Sequence, residues 1–288
     1  MTEATTTVRV DDEVRLCVQA MGNPDAPTLL LIGGATWSMD WWEDDLCRRL
    51  VQRGRQVVRY DQRDTGRSTS WPPGSPGYSG ADMVADAIAV LDALGVQRAH
   101  VVGLSMGGGI AQRLALEHRD RLTSLTLIST SPIDPSIEGL PGMSPELQAT
   151  FAAEHSEPDW ADRDAVVDTI VEAERPYAGP DSFDEARLRA TARRVFDRTD
   201  DMAASLTNHS VLDDDGPADA GLSRLDGLPT LVLHGTADPL FPLAHGRALA
   251  NAIPDARLIE LDGVGHQLPP PRTWALLIDA LIEHTGRV

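Results

Sequence analysis

The chain has 288 residues, of which 42% are hydrophobic and 24% charged, so it is long enough for one large domain with a sizeable core. Its 44 acidic residues against 25 basic ones give a net charge of −19. This balance argues against nucleic acid and against an anionic membrane surface as partners, because both are bound through basic patches.

The cysteines and the hydrophobic runs predict a cytoplasmic protein. Cys17 and Cys47 stand in apolar surroundings and form no Cys-x-x-Cys pair, which indicates reduced core residues. The first ten residues lack the basic start and the apolar run of a signal peptide. No apolar run approaches the roughly 18 residues that a membrane span requires. Composition leaves monomer and homodimer both open.

Predicted strands and helices alternate along most of the chain. Two segments of alternating polarity, residues 5–10 and 13–20, predict a β-hairpin. Further strands are predicted over 28–33, 56–61, 99–104, 122–130, 229–235 and 256–263, and helices over 41–54, 82–95, 243–253, 273–284 and from residue 106. This alternation favours a mostly parallel central sheet flanked by helices.

The alternation is interrupted between residues 131 and 227. This segment has helical patterns and turns but no convincing strand, and it holds about half of the acidic residues. An insertion after a strand end lies over the carboxyl edge of the sheet, where open α/β sheets bind ligands. The sequence therefore predicts an α/β core, residues 1–130 and 228–288, and a helical cap, residues 131–227. An unrelated surface insertion is the alternative.

The segment Gly103-Leu104-Ser105-Met106-Gly107 lies where a predicted strand ends and a predicted helix begins. A sharp turn there places the Ser105 side chain at its apex, and the flanking glycines leave out Cβ atoms that would clash. The new helix presents free N–H groups and the positive end of its dipole to the same point. This context predicts a nucleophile elbow, with an ordinary strand–helix turn as the alternative.

A serine nucleophile needs a base, and after such an elbow the chain order is serine, acid, histidine. His266 follows a predicted strand on a glycine-rich loop and is the predicted base. Asp238, four residues after a strand and followed by a proline, is the predicted acid that orients it. Asp262 is a second choice because it is so close in sequence to His266. The other histidines are expected to be structural or solvated, or to lie in the cap or after the loop of Asp238. They are His100, His118, His155, His209, His234, His245 and His284.

An oxyanion hole needs two N–H donors beside the nucleophile. The backbone N–H of Met106 is the first predicted donor, and the second is expected from the loop after strand 28–33. Ala35 is the predicted residue there, with Gly34 as the neighbour most easily confused with it. Gly34, Trp37 and Leu104 are predicted to line a substrate pocket, with core packing as the alternative. This chemistry requires neither a metal nor an organic cofactor.

Several segments resemble the α/β-hydrolase superfamily, and the resemblance covers almost the whole chain outside the cap. The segments are LLLIGGATWS, YDQRDTGRS, GLSMGG, HGTADPLFP and GVGHQLP. Gly33 stands where a histidine is common in the family, and Asp64 replaces a glycine. The resemblance implies an α/β-hydrolase fold with an inserted helical cap. It also implies that Asp61 and Arg63 have a structural role, tying strands together.

Two stretches, RYDQRDTGRST and HVVGLSMGG, resemble more narrowly the aclacinomycin methylesterase group, which removes a methyl ester from an anthracycline polyketide. The sequence thus predicts a carboxylic ester hydrolase that acts through a Ser-His-Asp triad on a small apolar or polyketide-type ester. The same triad would also serve a cofactor-free perhydrolase or haloperoxidase, a lactonase, a C–C bond hydrolase or an acyltransferase. A ligand-binding protein without turnover is a further alternative, although a broken triad would be typical of it.

Overall fold

Eight strands form one mostly parallel sheet. The computed structural model describes residues 4–153, 156–212 and 221–286. The strands are β1 (Thr5–Arg9), β2 (Arg15–Met21), β3 (Thr28–Ile32), β4 (Gln56–Tyr60), β5 (Ala99–Leu104), β6 (Leu122–Ile128), β7 (Thr230–Gly235) and β8 (Arg257–Leu261). Their order is β1-β2-β4-β3-β5-β6-β7-β8, and only the pairs that include β2 are antiparallel. The predicted hairpin and the predicted parallel sheet are confirmed.

Nine helices of the described residues accompany the sheet. They are α1 (Asp44–Gln52), α2 (Gly80–Ala93), α3 (Met106–Glu117), α4 (Pro145–Ala152), α5 (Arg163–Glu174), α6 (Glu185–Arg198), α7 (Met202–Thr207), α8 (Ala244–Ala252) and α9 (Trp274–Thr285). Short 3₁₀ turns cover Met39–Trp41, Arg119–Arg121, Arg175–Tyr177, Asn208–Val211, Leu222–Leu225 and Pro271–Thr273. The helix predicted over 41–54 begins only at Asp44, because residues 39–41 form one of these turns.

Alternate residues of β3 pack on opposite faces of the sheet. Leu29 and Leu31 join the apolar cluster that includes α1 and α9, whereas Leu30 and Ile32 join the cluster of α2, α3 and α8. All four side chains are almost completely buried. Burial on both faces explains why this strand is a continuous apolar run rather than an alternating one.

The described residues between β6 and β7 are helical and contain no strand, as the pattern predicted. Three of these helices begin at an aspartate whose carboxylate accepts a backbone N–H of the first turn: Asp162 for α5, Asp184 for α6 and Asp201 for α7. Such N-caps stabilise a helix by roughly 1 kcal/mol each. Helix capping thus accounts for part of the acidity of this segment.

Helices α5 and α6 pack against each other and join the apolar core. Val166, Ile170 and Val195 belong to the same apolar cluster as Leu29 and Leu31 of β3. Residues 154–155, which include His155, and residues 213–220 lie outside the described residues. The division of the chain into core and cap remains a prediction.

The loop after β4 ties loops and helices together. Asp61 accepts the N–H of Met39 at 2.8 Å and pairs with Arg198 of α6. Arg63 makes two 2.8 Å hydrogen bonds to Asp86 of α2. Both residues are structural. The Asp61 N–H also donates to the Cys17 carbonyl of β2 at 2.9 Å, so the expectation that these residues tie strands together holds for Asp61, whereas Arg63 bonds a helix.

The two cysteines are free and buried, as predicted. Burial raises the pKa of the Cys47 thiol to about 12, so this thiol stays protonated. Within the described ranges, no helix is both long enough and apolar enough to cross a membrane.

Candidate active site

Ser105 occupies a strained turn between β5 and α3. Its φ of 53° lies in the left-handed region, which side chains other than glycine rarely adopt. The Ser105 N–H donates to the Ile128 carbonyl at 3.0 Å, and the Thr130 hydroxyl donates to the Ser105 carbonyl at 2.8 Å. Contacts with β6 and the residues just after it therefore hold the strained backbone in place, as expected where strain serves a function.

The glycines around Ser105 are required by close backbone packing. A Cβ atom on Gly103 would lie 2.2 Å from the Gly107 carbonyl oxygen, and one on Gly107 would lie 2.4 Å from the Gly33 carbonyl oxygen. Neither distance is compatible with a side chain unless the backbone moves. The steric reason given for the Gly-x-Ser-x-Gly pattern is thus confirmed.

The three predicted side chains of the triad meet at the carboxyl edge of the sheet. His266 Nε2 lies 2.8 Å from Ser105 Oγ, and His266 Nδ1 lies 2.9 Å from Asp238 Oδ2. The second carboxylate oxygen of Asp238 accepts the N–H groups of Leu240 and Phe241 at 3.0 and 2.8 Å. An ionised Asp238 requires a proton on Nδ1, which leaves the Nε2 lone pair facing the Ser105 hydroxyl.

The segment after α5 holds the loop of His266. The His266 N–H donates to the Tyr177 carbonyl at 2.7 Å, and a Cβ on Gly265 would lie 2.1 Å from the same oxygen. The imidazole lies near the rings of Phe241 and Tyr177, at centroid distances of 5.4 and 5.8 Å. His266 is 8% exposed, so its orientation is set by packing rather than by solvent.

A second serine–histidine pair lies nearby but lacks the acid. Ser131 Oγ is 2.9 Å from His245 Nδ1, while His245 Nε2 donates to the Pro141 carbonyl at 2.8 Å. Among the described residues, no carboxylate oxygen lies within 4.0 Å of a His245 nitrogen. A base bound to a carbonyl lacks the carboxylate that would stabilise its imidazolium form. This pair therefore serves as an internal control for the site at Ser105.

Neither Asp262 nor His234 occupies a triad position, although His234 Nε2 lies 3.6 Å from Asp238 Oδ2. Asp262 accepts a hydrogen bond from Thr236 at 3.3 Å and lies at the surface. His234 is completely buried, and its Nε2 donates to the Phe241 carbonyl at 2.7 Å. The preference for Asp238 over Asp262 agrees with these positions.

The loop after β3 passes beside the nucleophile. A Cβ on Gly34 would lie 3.5 Å from Ser105 Cβ, and the Trp37 N–H donates to the Gly34 carbonyl at 3.3 Å across a turn through Ala35 and Thr36. On the other side of Ser105, the N–H of Met106 is the first of α3 and has no acceptor within the helix. The roles of Ala35 and Met106 as oxyanion donors remain predictions.

Two residues that support this loop were missed by sequence reasoning. The Gln62 side-chain amide donates to the carbonyls of Gly33 and Gly34, at 3.2 and 3.1 Å. His209, from the segment after α7, accepts the Thr36 N–H on Nδ1 at 2.8 Å. No local pattern marks either residue, since each acts through the backbone of a segment distant in sequence.

A cleft with an aromatic wall opens beside the site. It encloses about 520 Å³ of empty space, open solvent at its mouth included. Trp37 and Trp41 stack in it with ring centroids 4.9 Å apart and planes 9° from parallel. Its described lining comprises Trp37, Trp41, Glu43, Glu174, Ala178, Ser182, Phe183, Asp184, Arg187, Leu188, Thr191, Gln267 and Leu268. Gly34 and Leu104 lie against each other near Ser105 and not in this wall, so their contact with substrate remains a prediction.

Glu174 places a carboxyl group in the cleft. Burial raises its pKa to about 7, and a hydrogen bond from the Trp37 indole offsets this rise only in part. Burial, with a smaller contribution from the charge of Glu174, also raises the pKa of Tyr177 to about 12. The cleft thus contains a carboxyl group that changes charge near neutral pH. This group acts on Tyr177, whose carbonyl accepts the His266 N–H.

The chain is similar to known proteins over most of its length. Residues 27–269 match the family model for the alpha/beta hydrolase fold. The chain is 35% identical over 278 residues to rhodomycin D methylesterase DnrP of Streptomyces peucetius, covering 90% of this chain and 91% of that protein. It is 30% identical over 237 residues to 2-hydroxymuconate semialdehyde hydrolase of Pseudomonas putida, covering 78% and 76%.

Among solved structures, the enol-lactonase from Burkholderia xenovorans LB400 superposes with a TM-score of 0.71 at 25% identity. The match covers 97% of this chain and 99% of that one. The resemblance inferred from the sequence motifs is therefore confirmed.

Proposed function

The chain belongs to the alpha/beta hydrolase fold family, and on that premise we propose that this hydrolase cleaves carboxylic esters through an acyl-enzyme on Ser105. One observation carries the proposal. His266 lies within hydrogen-bonding distance of both the Ser105 hydroxyl and the Asp238 carboxylate, at 2.8 and 2.9 Å. This is the geometry of a nucleophile with its base and its orienting acid.

The first half of the reaction forms the acyl-enzyme. His266 Nε2 takes the hydroxyl proton as Ser105 Oγ bonds to the ester carbonyl carbon, and the carbonyl electron pair moves onto its oxygen. The N–H groups of Met106 and Ala35 stabilise this oxyanion, and Asp238 stabilises the imidazolium. When the oxyanion collapses, the bond to the alkoxy group breaks and His266 returns its proton to the leaving alcohol.

The second half repeats these steps with water. His266 takes a proton from water, the hydroxide oxygen bonds to the acyl carbon, and the same donors hold the second oxyanion. Collapse breaks the bond to Ser105 Oγ, which regains its proton from His266, and the carboxylic acid leaves. The chain, the ester and water carry every proton and electron pair, so we propose no metal and no organic cofactor.

The substrate proposed here is a small apolar or polyketide-type ester. The stacked indoles of Trp37 and Trp41 give the cleft an apolar wall, which fits a planar or aliphatic acyl group. The relative with 35% identity is named as a rhodomycin D methylesterase, which supports a methyl ester of this type. We further propose a small molecule as the partner of this chain and, given its free buried cysteines, a cytoplasmic location.

Lactone opening and C–C bond hydrolysis are the second candidates. The same triad can carry both, and two of the similar proteins are named for an enol-lactonase and for a semialdehyde hydrolase. A substrate panel separates the three reactions, because only ester hydrolysis releases an alcohol from an open-chain substrate.

Labelling with a fluorophosphonate, combined with turnover of p-nitrophenyl esters, lactones and aromatic methyl esters, tests the proposal. We expect Ser105→Ala to abolish labelling and to lower kcat by about 10⁴-fold or more. The matched control Ser131→Ala removes the hydroxyl of the other serine–histidine pair and should leave both unchanged. Labelling that persists in Ser105→Ala, or disappears in Ser131→Ala, would contradict the proposal.

A further inference from the structure

His209 lies in the helical segment between β6 and β7 and contacts the loop that passes beside Ser105. Its ring is 6% exposed and lies between two backbone groups. Nδ1 is 2.8 Å from the Thr36 nitrogen, and Nε2 is 2.9 Å from the Arg63 carbonyl oxygen. These contacts join residues 173 and 146 positions apart in the chain.

The two contacts allow one protonation state of the ring. A carbonyl oxygen only accepts, so Nε2 carries the proton, and an amide N–H only donates, so Nδ1 is the unprotonated nitrogen. Burial lowers the pKa of His209, while the Arg63 carbonyl and the charge of Asp64 oppose that shift more weakly. The neutral ring with a free Nδ1 lone pair is thus the stable form.

The residues that contact His209 are themselves fixed by hydrogen bonds. Arg63, whose carbonyl it contacts, is fixed by its two hydrogen bonds to the buried carboxylate of Asp86. Tyr78 packs edge-on against the imidazole at a centroid distance of 6.4 Å, and its hydroxyl donates to Asp64 at 2.6 Å. The imidazole therefore has little freedom to follow a movement of the Thr36 loop.

Thr36 needs such support. Its φ of 66° is in the left-handed region, which is unfavourable for a β-branched residue. Thr36 is the third residue of the turn closed between Gly34 and Trp37, and a positive φ at this position of a turn is usually adopted by glycine. Without an acceptor on the Thr36 N–H, this turn would relax toward ordinary backbone angles and Ala35 would rotate with it.

We propose that His209 is a positioning residue for the oxyanion hole: by accepting the Thr36 N–H, it holds the turn in which the Ala35 N–H faces the carbonyl oxygen bound at Ser105. This inference rests on the proposed hydrolase function. His209 touches no reacting atom and acts only through the backbone of residues 34–37.

Two isosteric variants separate the contacts of the ring. In His209→Asn the side-chain oxygen replaces Nδ1, so the acceptor for Thr36 is kept and the contact with Arg63 is lost. In His209→Gln the side-chain amide replaces Nε2, so the contact with Arg63 is kept and the acceptor is lost. Both remove a buried imidazole, so a merely structural role predicts similar losses of activity in the two.

With a p-nitrophenyl ester, we expect kcat to fall about 10- to 100-fold in His209→Gln and less than 3-fold in His209→Asn, somewhat below the effect of deleting an oxyanion donor. KM should change little in either. The inhibition constant of a boronic acid that forms a tetrahedral adduct should rise in parallel with the loss of kcat, because the adduct needs the same donors.

Equal kcat values in the two variants, or a wild-type kcat in His209→Gln, would overturn the inference. If His209→Gln does not fold, hydrogen exchange of the Thr36 amide in the unaltered protein provides the second test, and exchange at the rate of an unbonded amide would overturn it equally. Failure of the proposed function is distinct, since the unaltered protein would then neither turn over an ester nor react with fluorophosphonate.

Discussion

The carboxyl edge of the sheet and the helical segment between β6 and β7 contribute to the site in different ways. The sheet edge supplies Ser105, Asp238 and His266 from the ends of β5, β7 and β8. Glycines beside these residues allow backbone contacts that a Cβ atom would block. The helical segment supplies Tyr177 and His209, which hold the loops of the site. The three side chains thus depend on close backbone packing, whereas the helical segment holds loops of the site through hydrogen bonds.

The helical segment also has weaker restraints at its surface. The ion pairs on its outer surface are exposed, as in Arg163–Asp197 and Arg175–Glu172, and such pairs stabilise a fold by about 0–1 kcal/mol each. Its pairs with the rest of the chain, such as Arg198–Asp61, are more buried. The ion pair under the sheet edge, Arg63–Asp86, is buried on both sides. Breaking a buried pair is much more costly, because it leaves one charge without a partner. Substitutions should therefore have larger effects at the sheet edge.

The largest difference is expected between two aspartates at this edge. Asp238→Asn should lower kcat by about 10³- to 10⁴-fold, because the amide does not stabilise the imidazolium and favours the wrong tautomer of His266. The matched substitution Asp262→Asn removes a charge only a few residues from His266 and should leave kcat within about 2-fold. Steady-state kinetics on both variants measures this, and a larger loss in Asp262→Asn would reassign the acid.

Substituting one glycine in each region tests how well the two regions tolerate an added side chain. Gly103→Ala puts a Cβ 2.2 Å from a carbonyl oxygen, and it should cost at least about 3 kcal/mol of unfolding free energy or prevent folding. Gly142→Ala, in the helical segment, meets no atom within 4 Å and should change that free energy by less than about 0.5 kcal/mol. Urea unfolding of both proteins gives the values, and similar losses would refute the contrast.

A histidine of the core should make stability fall in acid. Burial lowers the pKa of His100 on β5 to about 4 from its ordinary 6.5. Below pH 6.5 the unfolded state therefore binds a proton that the folded state does not, and the free energy of unfolding falls until the pH approaches 4. Between pH 7.5 and 5 this loss amounts to about 2 kcal/mol.

His100→Asn keeps an acceptor for Ser124, which bonds Nδ1 at 2.9 Å, and removes the titrating ring. Its unfolding free energy should fall less over the same range, with His209 and His234 still present in both proteins. Parallel curves for the two proteins would exclude His100 as a source of acid sensitivity.

The smallest effect concerns binding and belongs to the helical segment. Because the raised pKa of Glu174 is about 7, its carboxyl is neutral below that pH and charged above it. The dissociation constant of an apolar ester should therefore rise several-fold between pH 6 and 8, since covering a charged carboxylate is unfavourable.

Binding is measured on Ser105→Ala through tryptophan fluorescence, so that turnover does not interfere. The double variant Ser105→Ala, Glu174→Gln should show a weaker dependence on pH. An identical pH dependence of the dissociation constant in both proteins would show that Glu174 does not affect binding in the cleft.

Much of the fold and of the triad could be predicted because each rests on local pattern. The buried run of β3 and the Gly-x-Ser-x-Gly turn are defined within a few residues, and the order of Ser105, Asp238 and His266 along the chain follows from the order of the strands. The start of α1 was misplaced, since the apolar Trp41 and Trp42 match helical spacing but belong to a 3₁₀ turn and its end. Asp61 and Arg63 have the expected structural role, but only Asp61 bonds a strand, whereas Arg63 bonds a helix.

The sequence by itself determined the alternation of strands and helices, the turn at Ser105 and the residue types available for chemistry, because period, turn residues and apolar runs act over short distances. Only the tertiary structure decided that His266 faces Ser105 while His245 faces Ser131, that Glu174 enters the cleft, and that His209 holds Thr36. These contacts join side chains to groups far along the chain, up to 173 positions apart. Their energies depend on burial and on distances of a few ångströms, which exist only after the helices have packed on the sheet.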